Sequence, residues 1–353
     1  MKSYKINEIN NKRILGRTSF YKDSLALFWG ASALEINVHA KEVWINISSD
    51  YDTYESWIAV EINGYQTNRF IAPKEEQWIC IARNLNPEKE NLISIIKDTQ
   101  AMSGDNHHVL FINAVGLDDA GTFLQLKSRS MKMEFIGDSI TSGEGLAGNS
   151  DEMDWITQWF CASKTYAMQV AKEMNADWSV ISQCGWGISW GWDGNINSKI
   201  PPHYTKVCSL LNSDFQKSFK TTDEYDFKKG SDWVVVNLGT NDNTGVSVPA
   251  SGQDINIVYD DVKAFLKVIR SKNPAAKILW VWGMISLDKI PEVVSKAIKD
   301  YKAETKDDFV FSMELPSMGD VEKTEKDKGS RGHPGPKTHE IGAQAIIDFI
   351  KSN

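Results

Sequence analysis

The spacing of apolar residues changes character near residue 130, and that change restricts the architectures open to the chain. Before it, short runs alternate apolar and polar side chains. Leu34, Ile36 and Val38 begin the series; residues 44–47, 57–62, 78–82, 92–96 and 109–115 continue it, with the turn pair Asn63-Gly64 between two of them. Short strands about ten residues apart, separated by turns, predict a β-sandwich. After it, apolar runs near Phe135, Val180, Val235, Leu279 and Val310 alternate with helical stretches at 163–174, 254–269 and 291–301, and an amphipathic helix closes the chain at 338–350. Strand and helix in alternation predict a parallel sheet covered on both faces. The expected organisation is therefore two domains, a β-sandwich over 1–127 and an α/β/α domain with a central parallel sheet over 128–353. The boundary, at 125–130, is short and polar, and no internal repeat is visible.

At 353 residues the chain is long enough for two domains, and its 41% apolar content is enough for packed cores. A net charge of −8, with no basic patch interleaved with aromatics, argues against nucleic acid and anionic membranes as partners. No apolar run reaches the roughly 18 residues of a membrane span. The N-terminus MKSYKINEINNKRILG has no apolar core and no small-residue cleavage site, so a cytoplasmic location is expected unless a signal precedes this sequence. Cys80, Cys161, Cys184 and Cys208 form no CxxC pair and read as free thiols. His107 and His108 lack further ligands at metal spacing, so a zinc site is not expected there, and no metal or organic cofactor is implied.

The chemistry begins in the second half. Met131, Met133 and Phe135 alternate with Lys132 and Glu134 in a strand that stops at Gly137-Asp138-Ser139. A serine at the end of a core strand beside glycine is well placed to be a nucleophile. A second strand, with Val180 and Ile181, runs into Gln183-Cys184-Gly185-Trp186-Gly187. A third runs into Gly239-Thr240-Asn241-Asp242, and Gly332-His333-Pro334-Gly335 precedes the last helix. In open α/β sheets, ligands bind at the carboxyl ends of the strands, so these segments are expected at one rim. Asp138 and Asp242 read as structural, binding loop N–H groups. His339 reads as a helix-surface residue. Trp186, Trp190 and Trp192, with Trp155 and Trp159 upstream, read either as core or as a platform for the apolar face of a sugar ring.

In this order the blocks GDS, glycine turn, GTND and HP resemble those of the SGNH (GDSL-type) hydrolases. The resemblance implies that Ser139 is the nucleophile and His333 the general base. It also implies an oxyanion hole made by the backbone N–H of Ser139, Gly185 and the side chain of Asn241. One position departs: the family usually has an aspartate three residues before the histidine, and here it is Ser330. A β-sandwich ahead of such a domain is similar to carbohydrate esterase family 2. In that family the first domain is a jelly roll, and some members hold the histidine through a main-chain carbonyl. Asp327 and Glu325, just upstream, are the competing orienters. The implied activity is an acetyl esterase that removes O-acetyl groups from hemicellulose-derived oligosaccharides of mannan, xylan or glucan type, with Trp186, Trp190 and Trp192 contacting sugar. The alternatives are a short-chain thioesterase or lipid esterase of the same fold, and a non-catalytic carbohydrate-binding protein.

Overall fold

The computed structural model describes residues 1–228, 230–248, 252–323 and 326–353. The chain divides into two compact units, one made of Met1–Ser128 with Lys206–Tyr225, the other of Arg129–Thr205 with Asp226–Asn353.

The first unit is a sandwich of two six-stranded antiparallel sheets. One sheet turns Leu25, Ile45, Ile47 and Leu110 inward, and the other turns Leu34, Ile36, Val38 and Ile95 inward, forming a single buried cluster. The period-2 alternation read from Leu34 to Val38 is the inner face of the strand Ala33–His39. The segment Lys206–Tyr225 returns to this unit from the middle of the second half. The indole of Trp29 donates to the Val207 carbonyl at 2.7 Å, Arg17 to that of Lys206 at 2.8 Å, and Gln216 to that of Asp105 at 2.7 Å. A single boundary at 127/128 leaves this return segment unaccounted for.

The second unit holds five parallel strands, β1 (Met131–Gly137), β2 (Ala176–Ser182), β3 (Trp233–Asn237), β4 (Lys277–Trp282) and β5 (Val310–Glu314), in the order β2-β1-β3-β4-β5. Its helices are α1 (Ser139–Ser142), α2 (Tyr166–Glu173), α3 (Thr240–Val246), α4 (Ile255–Lys272), α5 (Ile290–Thr305) and α6 (Pro336–Ser352), with a further short turn of helix at Met318–Val321. Every residue of β3 is buried, as a central strand covered on both faces requires. Helix α4 starts where the Asp254 carboxylate accepts the Asn256 N–H, and it buries Val258, Val262, Phe265, Leu266 and Ile269 along one stripe. Helix α2 packs on α6, and α4 on α5. The connection from β1 through α2 to β2 runs one way along the sheet and that from β3 through α4 to β4 the other; the right-handed crossover rule for parallel strands then assigns α2 and α4 to opposite faces. The strand order therefore reverses between β1 and β3, the position at whose carboxyl ends open α/β sheets bind their ligands.

The last helix corrects one expectation. His339 does not face solvent; it is 1% exposed, and its Nδ1 accepts the Tyr166 N–H at 3.0 Å. Its ring also stacks on that of Tyr166. Burial depresses its pKa to about 3, so the ring is neutral. The helix stripe from Thr338 through Gly342 and Ile346 to Ile350 is buried, and position 339 flanks it where α2 packs.

Candidate active site

Register brings the site together. Gly137 at the end of β1 pairs with Ser182 of β2 and with Asn237 of β3. The chain is two residues short of Ser139, three short of Gly185 and four short of Asn241 at these points. All three thus emerge at one edge, at the strand-order reversal.

Ser139 opens α1, a single turn of helix. The Asp138 carboxylate caps it by accepting the Ile140 N–H at 3.0 Å. Thr141 folds back over Gly137 so closely that a Cβ there would lie 2.0 Å from its Oγ1, which leaves glycine as the residue that fits. The Thr141 hydroxyl meets Tyr166 Oη at 2.8 Å, and Ser142 Oγ donates to Ser182 Oγ at 2.8 Å. The turn is therefore tied to α2 and to the end of β2. Burial pushes the Asp138 carboxyl up to about 7.

His333 Nε2 lies 2.9 Å from Ser139 Oγ. That distance suits transfer of the hydroxyl proton to imidazole. The loop bearing His333 is fastened by backbone bonds: Ser330 N–H donates to the Gly145 carbonyl at 3.0 Å, and Gly329 N–H to the His333 carbonyl at 3.0 Å. Among the described residues no carbonyl orients the ring. His333 Nδ1 is buried and has no hydrogen-bond partner among the described residues. Nor is Asp327 the orienter. Its carboxylate accepts the N–H groups of Lys337 (2.8 Å) and Thr338 (2.6 Å) and the Thr338 hydroxyl (2.6 Å), so it caps α6. Glu325 lies outside the described residues.

Gly185 has φ +74°, a left-handed conformation that an L side chain adopts only with strain, and a Cβ would meet the Trp192 ring at 3.0 Å. Asn241, in the first turn of α3 and 7% exposed, donates through Nδ2 to the Trp186 carbonyl at 2.9 Å. The amide's second N–H is a further donor. Next to it, the fully buried Asp242 gathers the loop after β2 by accepting the N–H groups of Ile188 at 2.9 Å and Ser189 at 2.8 Å. Desolvation raises its carboxyl to about 6. One aspartate thus locks the loop of Gly185 to the helix of Asn241, which is the structural role expected of it.

The three tryptophans separate. Trp192 is 59% exposed beside Gly185. Trp186 is half-buried with its ring against His203, whose pKa burial lowers to about 4. Trp190 is 1% exposed, and its indole donates to the Asp242 carbonyl at 3.0 Å. It is a core residue and presents no platform, because the Asp242 bonds fold its loop inward.

The sequence reading missed Glu144. It lies between Gly143 and Gly145, and its carboxylate is buried, 2.9 Å from Arg331 Nε and 3.5 Å from His333 Nε2. It also hydrogen-bonds the Cys184 thiol, whose pKa is pushed up, chiefly by burial. The available signal was an acid held between two glycines just after the nucleophile block.

A family model of GDSL-like lipases and acylhydrolases matches residues 135–341, and the chain belongs to that family of ester-hydrolysing enzymes. An acetyl xylan esterase from the rumen bacterium Butyrivibrio proteoclasticus is 32% identical, with a TM-score of 0.93 over 100% of this chain and 99% of that one. A family two carbohydrate esterase from Clostridium thermocellum, solved with cellohexaose, shares the fold at 23% identity, a TM-score of 0.81, and coverage of 97% of this chain and 98% of that one. The cellulase/esterase CelE of Acetivibrio thermocellus is 25% identical over 338 residues, 92% of this chain. The chain spans only 37% of the length of that relative. The two-part fold, sandwich then parallel-sheet unit, is that of the family 2 carbohydrate esterases over nearly the whole chain.

Proposed function

We propose that this protein removes acetyl groups from oligosaccharides of the hemicellulose type through an acyl-enzyme. The observation that carries the reading is the 2.9 Å contact of His333 Nε2 with Ser139 Oγ at the strand-order reversal. Ser139 attacks the acetyl carbonyl while His333 takes its proton and then returns it to the departing sugar hydroxyl. The negative charge on the carbonyl oxygen is met by the backbone N–H groups of Ser139 and Gly185 and by the free N–H of the Asn241 amide. Water then enters, His333 acts as base again, and acetate leaves. Trp192 and Trp186 offer the sugar an apolar face at the rim of this site.

The esterase of 32% identity is named for acetyl xylan, and the Clostridium thermocellum structure holds a cellulose oligosaccharide. Both support a β-linked sugar chain as substrate. The test has two arms. Wild-type protein is given p-nitrophenyl acetate and longer p-nitrophenyl esters, then acetylated xylan, mannan and glucan oligosaccharides, with products read by NMR. The reading expects acetate release from at least one sugar and rates that collapse beyond butyryl, since extra methylenes clash in a small acyl pocket. A preference for long acyl chains would favour a lipid esterase. Sugar binding without turnover would favour a non-catalytic binding protein.

A further inference from the structure

Among the described residues, Glu144 is the acid whose carboxylate lies against both the base and the loop that bears it. Resting on the esterase reading, we propose that Glu144 is a positioning residue for His333 and supplies, from the Nε2 side, the negative charge that Ser330 cannot.

Its contacts bind the site's two halves. The backbone N–H of Glu144 donates to the Ser139 carbonyl at 3.0 Å. One carboxylate oxygen accepts from Arg331 Nε at 2.9 Å, and the other lies 3.5 Å from His333 Nε2. The carboxylate is 6% exposed. A carboxylate so buried needs positive partners. Arg331 serves one oxygen at all times. His333 serves the other only when its ring is charged.

That timing gives the contact its catalytic use. As the bond from Ser139 Oγ to the acyl carbon forms, the hydroxyl proton passes to Nε2, and the carbonyl electron pair moves onto oxygen. The new Nε2–H then faces both Oγ and Glu144. When the intermediate collapses, the proton goes to the leaving alcohol oxygen, the C–O bond to the sugar breaks, and the ring is neutral again. Attraction between carboxylate and imidazolium exists only while the charge does, so it favours the transition state over the ground state. Arg331 sits in a left-handed conformation, φ 57° and ψ 28°, two residues before His333. Its guanidinium on Glu144 and its N–H on the Glu152 carbonyl at 2.9 Å hold that conformation.

Other ionisable groups surround the pair. The Cys184 thiol faces Glu144 and stays neutral, because burial raises its pKa. Asp138 lies under Ser139, Asp327 caps α6, and His339 is buried and neutral. All of them are shared by wild type and variant, so a difference between the two belongs to Glu144.

The experiment is the pH–rate profile of wild type, Glu144→Gln and Ser139→Ala on p-nitrophenyl acetate. Glutamine keeps the volume and an acceptor for Arg331 but carries no charge. The expected result is a kcat lowered about 10- to 100-fold, a modest part of what acid–base catalysis supplies, with KM nearly unchanged and the acid limb moved to lower pH. A Glu144→Gln profile that overlays wild type overturns the inference. If Ser139→Ala retains full activity or wild type turns over no ester, it is the esterase reading that fails. Should Glu144→Gln not fold by circular dichroism, nitrogen-15 NMR of wild type phosphonylated on Ser139 decides the matter. A downfield imidazolium proton on Nε2 supports the pairing; one found only on Nδ1 overturns it.

Discussion

Ser139→Ala removes the hydroxyl that lies 2.9 Å from the imidazole of His333. Turnover of p-nitrophenyl acetate is expected to vanish while the melting temperature holds, and near-normal activity would remove Ser139 from its role. Asn241→Ala is felt differently. The amide bonds the Trp186 carbonyl in the resting site, and in the proposed mechanism its second N–H acts on developing charge. We expect kcat to fall about 10²- to 10³-fold with KM little changed; steady-state kinetics showing a KM effect alone would contradict this. The tryptophans give a contrast. Trp192→Ala should depress turnover of acetylated oligosaccharides more than that of p-nitrophenyl acetate, because the ring is exposed. Trp190→Ala should lose about 3–5 kcal/mol of stability, as for any large buried aromatic. Equal losses on both substrates for Trp192→Ala would show it to be a packing residue too.

Among elements, the last helix and the loop before it are where sequence distance misleads. Asp327 reads as a displaced triad acid because it is six residues from His333. In the fold it caps α6 through three bonds from Lys337 and Thr338. Asp327→Ala is therefore expected to cost stability, about 1–2 kcal/mol as for the loss of a helix cap. Activity per folded molecule should stay within a few-fold of wild type. A loss as deep as that of His333→Ala, with an intact circular dichroism spectrum, would restore Asp327 as orienter. Ser330→Ala should cost at most about ten-fold, against the roughly 10⁴-fold typical of disabling a true triad aspartate. Its hydroxyl is buried and has no hydrogen-bond partner among the described residues.

For the molecule as a whole, buried neutral histidines contribute one part of the response to acid. His339 in the second unit and His108 in the first both have pKa values lowered to about 3, with desolvation as the leading cause. An unfolded histidine titrates near ~6.5, so below that pH the unfolded chain binds protons that the folded one refuses. Stability from these groups is thus complete above about 6.5 and declines as pH falls towards 3. His339→Asn offers Tyr166 an acceptor that does not titrate. It should lower the melting temperature at pH 7 yet flatten the decline between pH 6.5 and 5. Parallel curves for variant and wild type would show that His339 does not contribute. Much of this molecule was legible from residue order. Period-2 alternation gave the sandwich, because a strand must bury one face, and alternating strands and helices gave the parallel sheet. The blocks around Ser139, Gly185, Asn241 and His333 could be placed at one rim because parallel strands end together. Four matters were decided only in three dimensions. The segment Lys206–Tyr225 joins the sandwich through bonds to Trp29, Arg17 and Asp105 that no local pattern announces. Trp190 is buried and Trp192 exposed, although both sit among glycines, because Asp242 draws one side of their loop inward. His339 is core because α2 packs over it. Glu144 meets His333 across 189 positions of sequence. Local periodicity records which face of an element is buried; it carries no record of which distant side chain will lie against it.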